Sequence, residues 1–407
     1  MRIGRYVILL IPAMLLLMAV PATASSQPTL VVYTYPSFVS WGLANATIPD
    51  FEKEYGVKVK VVTMTSGELV NRLILEKNHP YADVVIGIDN GYAAEAIKAG
   101  VLESYRPPDI GVVPKWLIDE LDPTYHLIPF DYGAIAIDYN NTKIKNPPKT
   151  FEALLNPRWK KSLILEDPRT STTGRAFLLW TIGAFGDPGW LYYWEKLKPQ
   201  IYAIVKSWDA GWAMWTKGEA PFLVSYVTDP AYDAYYGKRN TSTIGVILLN
   251  DTAYVQIEGV GIVKGCRHLK LAREFVNFVL SNAFQSKIAT HNWMFPASDN
   301  VTLPSVYKLV PRWSKVVNPG NISANYKRWL NEWVELMVQG MSPSQIIKRY
   351  SKYYNTSSTT SSAVSASSAS ASTATSTSSK KSKSICGPAS IAALALLSAV
   401  VRKVRKR

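Results

Sequence analysis

The alternation of short apolar runs with amphipathic stretches between residues 29 and 99 restricts this chain more than any other feature. Thr29 to Tyr35, Val57 to Thr63 and Ala82 to Gly87 are apolar or β-branched runs of strand length. Between them, the stretch from about Ile48 to Tyr55 and Ser66 to Glu76 read as helices, the second with Ser66 as N-cap and Leu69, Leu73 and Ile74 on its apolar face. Tyr92 to Ala99 makes another helix, stopped by Gly100. Strand, helix, strand, helix, strand at this spacing predicts a parallel sheet covered by helices.

The pattern then repeats. Strands are expected at Gly133 to Tyr139, Ser162 to Leu165, Tyr202 to Val205 and Phe222 to Val227. Helices are expected near Thr150 and at Thr173 to Phe185, Gly189 to Leu197 and Ala210 to Thr216. Tyr254 to Lys264 returns the chain to the first lobe, because the amphipathic helix Leu269 to Leu280 follows it without a new sheet. Helices around Tyr326 to Val338 and Pro343 to Tyr353 are expected as the C-terminal cover. The predicted class is α/β with two lobes around a central ligand cleft: residues 29–128 with 256–354, and residues 129–255. Two hinge crossings are expected, near residues 127–132 and 253–257.

The two ends differ from this body. Arg2 and Arg5 precede an apolar run from Tyr6 to Val20 and a small, polar stretch from Pro21 to Ser26, so residues 1–26 read as an export signal peptide. Residues 355–384 are a Ser/Thr-rich stalk. Residues 385–407 read as a membrane anchor, Ile385 to Val401, with the basic tail from Arg402 to Arg407. The expected location is the extracellular face of the cytoplasmic membrane, anchored at the C-terminus. Seven Asn-x-Ser/Thr sites are compatible with glycosylation of an exported chain.

The formal charge of +15 suggests a nucleic-acid binder until it is divided along the chain. Ten of the positive charges lie in the two ends, where there are no acids, and the body retains about +5 without an arginine stripe or nucleic-acid motif. No nucleic-acid partner is expected. One cysteine in the body, Cys266, excludes a disulfide framework. Four histidines without metal-ligand spacing, no Gly-x-Ser-x-Gly elbow and no phosphate-cradling glycine loop give no catalytic or metal residues, so neither enzyme nor cofactor is expected.

Ligands of open α/β sheets gather at the carboxyl ends of parallel strands. Those positions hold Tyr35 and Trp41, Asp89 and Asn90, Asp167 to Gly174, Trp208, and Tyr226 to Tyr232. Aromatic rings with scattered carboxylates suit a flat cationic ligand, whose rings lose water by stacking and whose charge gains from π faces. Any of Asp89, Asp131, Asp229 or Glu258 that faces the cleft without a basic partner would supply the counter-charge. The hydroxyls from Thr170 to Thr173 enter a helix, where free N–H groups can also receive an anion.

From Leu30 to about Pro296 the chain resembles the thiamine-binding proteins of thiamine ABC importers. The segments that carry the resemblance include Val32-Tyr33-Thr34-Tyr35-x-Ser37-Phe38, Ala82 through Asn90, Pro129-Phe130-Asp131-Tyr132-Gly133, Asp167 through Gly174, Ser225-Tyr226-x-Thr228-x-Pro230-Ala231-Tyr232 and Asn292-Trp293-Met294-x-Pro296. The resemblance implies the periplasmic-binding-protein fold and thiamine, or a close derivative, as transported ligand, with the permease of an ABC importer as partner. It implies that Tyr35, Trp41, Tyr226 and Trp293 surround the ligand rings, and that Asp89, Ser171, Trp208 and Tyr232 approach the ring substituents or the hydroxyethyl or phosphate end. Pro36, Asp229, Glu258-Gly259 and His291 depart from the family pattern. Cys386-Gly387-Pro388 resembles an archaeal surface-anchoring signal, which implies processing and lipid attachment at Cys386. The alternatives are a receptor for another cationic heterocycle and a ferric-ion receptor using Tyr235-Tyr236 or Tyr192-Tyr193.

Overall fold

The computed structural model describes residues 27–354. The expected signal peptide, stalk and anchor, Cys386 included, lie outside the described residues. Within them the parallel βαβαβ start is present: Thr29–Thr34, Lys58–Thr63 and Val84–Asp89 pair in parallel, joined by helices Leu43–Tyr55 and Ser66–Leu75. Every residue of Val84–Asp89 is buried, as expected for a central strand covered on both faces.

The return strand Val255–Val263 runs antiparallel between Val84–Asp89 and the long strand Ile128–Asn140. Ile128–Asn140 belongs to both halves of the molecule. Its residues up to Ala134 pair with Val255–Val263, and from Ile135 onward it pairs with Phe222–Tyr226. That strand in turn runs parallel to Leu163–Glu166, which is followed by Ile201–Val205. The result is an α/β periplasmic-binding-protein-like fold with a mixed sheet and two lobes.

Two apolar cores follow the same division. One gathers Leu30, Val32, Val85, Phe130, Val260 and Phe275; the other gathers Ile135, Leu163, Trp180, Trp190 and Trp194. The C-terminal helices correct an expectation. Expected with the first lobe, Ile322–Met337 and Pro343–Arg349 instead put Trp329, Trp333, Leu336 and Ile346 into the second core. Trp333 meets Trp194 edge to face at 5.8 Å, and Asp187 accepts a hydrogen bond from the Trp329 indole at 2.7 Å. The physical reason is the tryptophan-rich face of Gly189–Leu197, which has a large area to cover.

Candidate functional site

Between the lobes lies a cleft whose outline takes in about 700 Å³, adjoining solvent included, lined at the carboxyl ends of the parallel strands. Six of the eight residues singled out from the sequence line it: Tyr35, Trp41, Ser171, Trp208, Tyr226 and Trp293. Tyr35 is fixed by a close approach behind it. Gly87 has a φ of +100°, and a Cβ there would lie 2.2 Å from the Tyr35 ring.

The aromatic walls come from both lobes. Trp41 of the first lobe meets Tyr232, Trp208 and Trp212 of the second at ring-centre separations of 4.7, 5.1 and 5.6 Å. Trp208 is the first residue of helix Trp208–Thr216, stacks on Trp212, and donates its indole hydrogen to Ser225 Oγ at 2.9 Å. Trp293 has φ 57° and a buried indole N–H without a protein partner. Tyr232 does not line the cleft; it stands behind Trp41 and Trp293, 5.3 Å from the latter.

Asp89 also stays out of the lining. Its carboxylate accepts hydrogen bonds from the backbone of Gly91 and Tyr92 at 2.8 and 3.0 Å, and burial pushes its pKa up to about 6 against the opposing effect of Arg175. The carboxylate that faces the cleft from this sheet is Glu258. It accepts from the Tyr35 hydroxyl at 2.7 Å and from Gln256 Nε2 at 3.0 Å. Asp131 is its direct neighbour across the strands, and Asn292 links Tyr35 to Asp131, donating to Tyr35 Oη at 3.0 Å and to Asp131 Oδ2 at 2.6 Å. Burial first, then the neighbouring Asp131, raises Glu258 well above the usual carboxylate range.

Asp229 lines the opposite side, accepting from the Ser225 hydroxyl and from the Tyr226 amide at 3.2 Å. Ser37, Thr65, Ser66, Thr170, Ser171, Thr172 and Ser207 add hydroxyl-bearing residues to the lining. Ser171 sits at the N-cap of helix Thr172–Phe185 and makes no side-chain cap; its Oγ lies 2.9 Å from Thr173 Oγ1. The lobes touch around this rim: Gly67 donates its amide to Thr170 O at 3.4 Å, and Ser40 Oγ to Asp209 at 3.1 Å.

The lining contributions of Asn292, Asp209 and Thr65-Ser66 were not singled out from the sequence. Asn292 had a signal, since it adjoins Trp293; Asp209 lies in the first turn of helix Trp208–Thr216, and Thr65, one residue before the Ser66 expected there, is the N-cap of helix Ser66–Leu75. The tyrosine pairs lie elsewhere. Tyr235 and Tyr236 pack around Trp293, and Tyr193 is buried, stacked on Phe185 at 4.5 Å, beside an exposed Tyr192. Among the described residues no three His, Cys, Asp or Glu side chains are grouped to hold a metal. Burial pushes the Cys266 thiol up to about 11, which disfavours a nucleophilic thiolate.

Residues 42–286 match the family described as bacterial extracellular solute-binding protein. The thiamine-binding periplasmic protein of Salmonella typhimurium is 34% identical over 326 residues, 79% of this chain and 96% of that protein. Its Escherichia coli namesake is 32% identical over 324 residues, 78% and 96% of the two chains. A solved periplasmic thiamin binding protein superposes with a TM-score of 0.71 at 31% identity, covering 76% of this chain and 96% of that one. These findings correct the expectation of an archaeal-type, C-terminally anchored surface protein: the relatives are bacterial and named as periplasmic.

Proposed function

Because the chain belongs to the bacterial extracellular solute-binding proteins, a non-catalytic family, we propose that it captures thiamine or a thiamine phosphate for the permease of an ABC importer. The observation that carries this reading is the Glu258 carboxyl, open to a tryptophan- and tyrosine-lined cleft, with no base among the groups that shift its ionisation. Thiamine joins a neutral aminopyrimidine to a thiazolium cation. Trp41, Tyr35, Tyr226 and Trp293 would face the rings, with Glu258 as counter-charge and the free Trp293 N–H as a donor. Each strong cation–π contact is worth about 2 kcal/mol once water is excluded, against about 0.5 to 1 at an exposed surface.

The hydroxyl-lined N-terminus of helix Thr172–Phe185 would take the hydroxyethyl or phosphate end, because its first amides lack intrahelical acceptors and its dipole favours negative charge. Lobe closure would occur about the crossings at Ile128–Asn140 and the start of Val255–Val263. The test is calorimetric titration of unfolded and refolded protein with thiamine, thiamine monophosphate and thiamine diphosphate. Saturable one-to-one binding is expected, with Glu258→Gln at least about 30-fold weaker, the equivalent of about 2 kcal/mol. No binding of any of the three by correctly refolded protein overturns the thiamine reading.

A further inference from the structure

Glu258 and Asp131 form a buried pair of acids that a simple counter-charge does not require. They are direct partners on neighbouring antiparallel strands, 4% and 0% exposed. The groups facing them are almost all neutral or acidic. Tyr35 comes from the end of the first strand, Gln256 from the strand of Glu258, and Asn292 from the end of helix Asn282–His291. Asp89 is the partner of Glu258 on the third strand, and the Tyr226 and Tyr307 hydroxyls lie near enough to sense Glu258 and Asp131 respectively. The cation of the neighbourhood, Arg175, is engaged elsewhere: it lies between the rings of Tyr92 and Tyr326 and donates to Gly91 O. His291 turns its ring to Thr290 and Lys287 O.

Two adjoining carboxyls buried this deeply cannot both ionise without cost, since no cation faces them to compensate the second charge. The pair therefore keeps a proton: burial raises both carboxyls, and Asp131 Oδ1 has no protein donor to stabilise a charge there. A permanent cation placed beside Glu258 changes that balance. It rewards the second negative charge and has no proton of its own to give.

We propose that the Glu258–Asp131 pair makes capture of a cationic ring proton-coupled: the pair gives up its shared proton to solvent as the cation enters. The inference rests on the thiamine reading and adds to it a basis for choosing cations over neutral rings of the same shape. A neutral ring leaves the proton in place and gains no charge pairing. The O–H bond of the carboxylic acid breaks heterolytically, the electron pair stays on the carboxylate, and the proton goes to water or buffer.

The experiment is titration of the whole protein with thiamine near neutral pH, in buffers of low and high ionisation enthalpy. The expected result is a binding heat that varies with the buffer and corresponds to release of up to one proton, with affinity rising as much as tenfold per pH unit while the pair is still protonated. The double variant Glu258→Gln, Asp131→Asn should bind more weakly and with no buffer dependence. Should it fail to fold, infrared difference spectra of the parent take its place, with loss of a protonated-carboxyl band on adding thiamine as the expected signal. Thiamine binding with a buffer-independent heat, or proton release that survives in the double variant, overturns the inference and leaves the thiamine reading standing. No thiamine binding at all overturns both.

Discussion

Replacing Trp41 with alanine separates closure of the two lobes from their folding. The Trp41 ring is half-buried, and its ring partners Trp208, Trp212 and Tyr232 all belong to the other lobe, at 4.7 to 5.6 Å. Aromatic pairs contribute about 0.5–1.5 kcal/mol each beyond the area they bury. Trp208 and Trp212 stay stacked on each other without Trp41, which recovers part of the loss. A net cost near 2 kcal/mol is the reasonable sum, and it falls on the closed, ligand-holding state. Thiamine affinity should drop about 30-fold by calorimetry, while the melting temperature of the ligand-free protein moves by no more than a few degrees. Unchanged affinity would refute the reasoning. So would a fall in ligand-free stability as large as the fall in binding, because Trp41 would then be holding a lobe together and not closing the pair.

Gly87→Ala should abolish measurable binding, since its Cβ would meet the Tyr35 ring at 2.2 Å from a backbone at φ +100°; wild-type affinity in a titration would contradict the assigned position of that ring. Trp333→Ala should destabilise the second lobe by about 3–5 kcal/mol, seen as a lower denaturant midpoint, because the indole is fully buried against Trp194. Ligand-free stability should fall as pH rises from about 4 toward 8. Burial raises Glu166 to about 8, and burial together with Asp229 raises Asp138, so the folded state binds more protons than the unfolded one across that window. Thermal melts at steps of pH check the sign, and a melting temperature that climbs toward pH 8 would contradict it.

The strand ends were readable because periodicity marks where an apolar run stops, and the residue after it is then near the cleft. Tyr35, Ser171, Trp208 and Tyr226 were found in that way. Asp89 followed the same rule and still turned aside, since whether a side chain beyond a strand faces the ligand or its own loop depends on loop conformation. Glu258 was visible as a charge inside an otherwise apolar stretch, but its neighbours were not. Register irregularities at Glu258/Gly259 and Gly259/Val260 determine that it lies beside both Asp131 and Asp89, and no single-strand pattern encodes an irregularity between strands. The destination of the C-terminal helix was hidden for a related reason: an amphipathic stripe says that a face is covered, not by what.

That helix has a consequence for how the molecule is made. Trp194 is synthesised long before Trp333, and the core that begins at Ile135 closes only when residues 322–349 arrive. The first lobe waits as well, since its central strand Val255–Val263 follows the whole second lobe in the chain. Neither half can fold to completion ahead of the other during synthesis, and contacts this distant in sequence slow the search for the native state. The chain thus remains unfinished until nearly all of it is available, which is compatible with passage through a membrane as an extended polymer and leaves its tryptophan-rich surfaces in need of shelter until then.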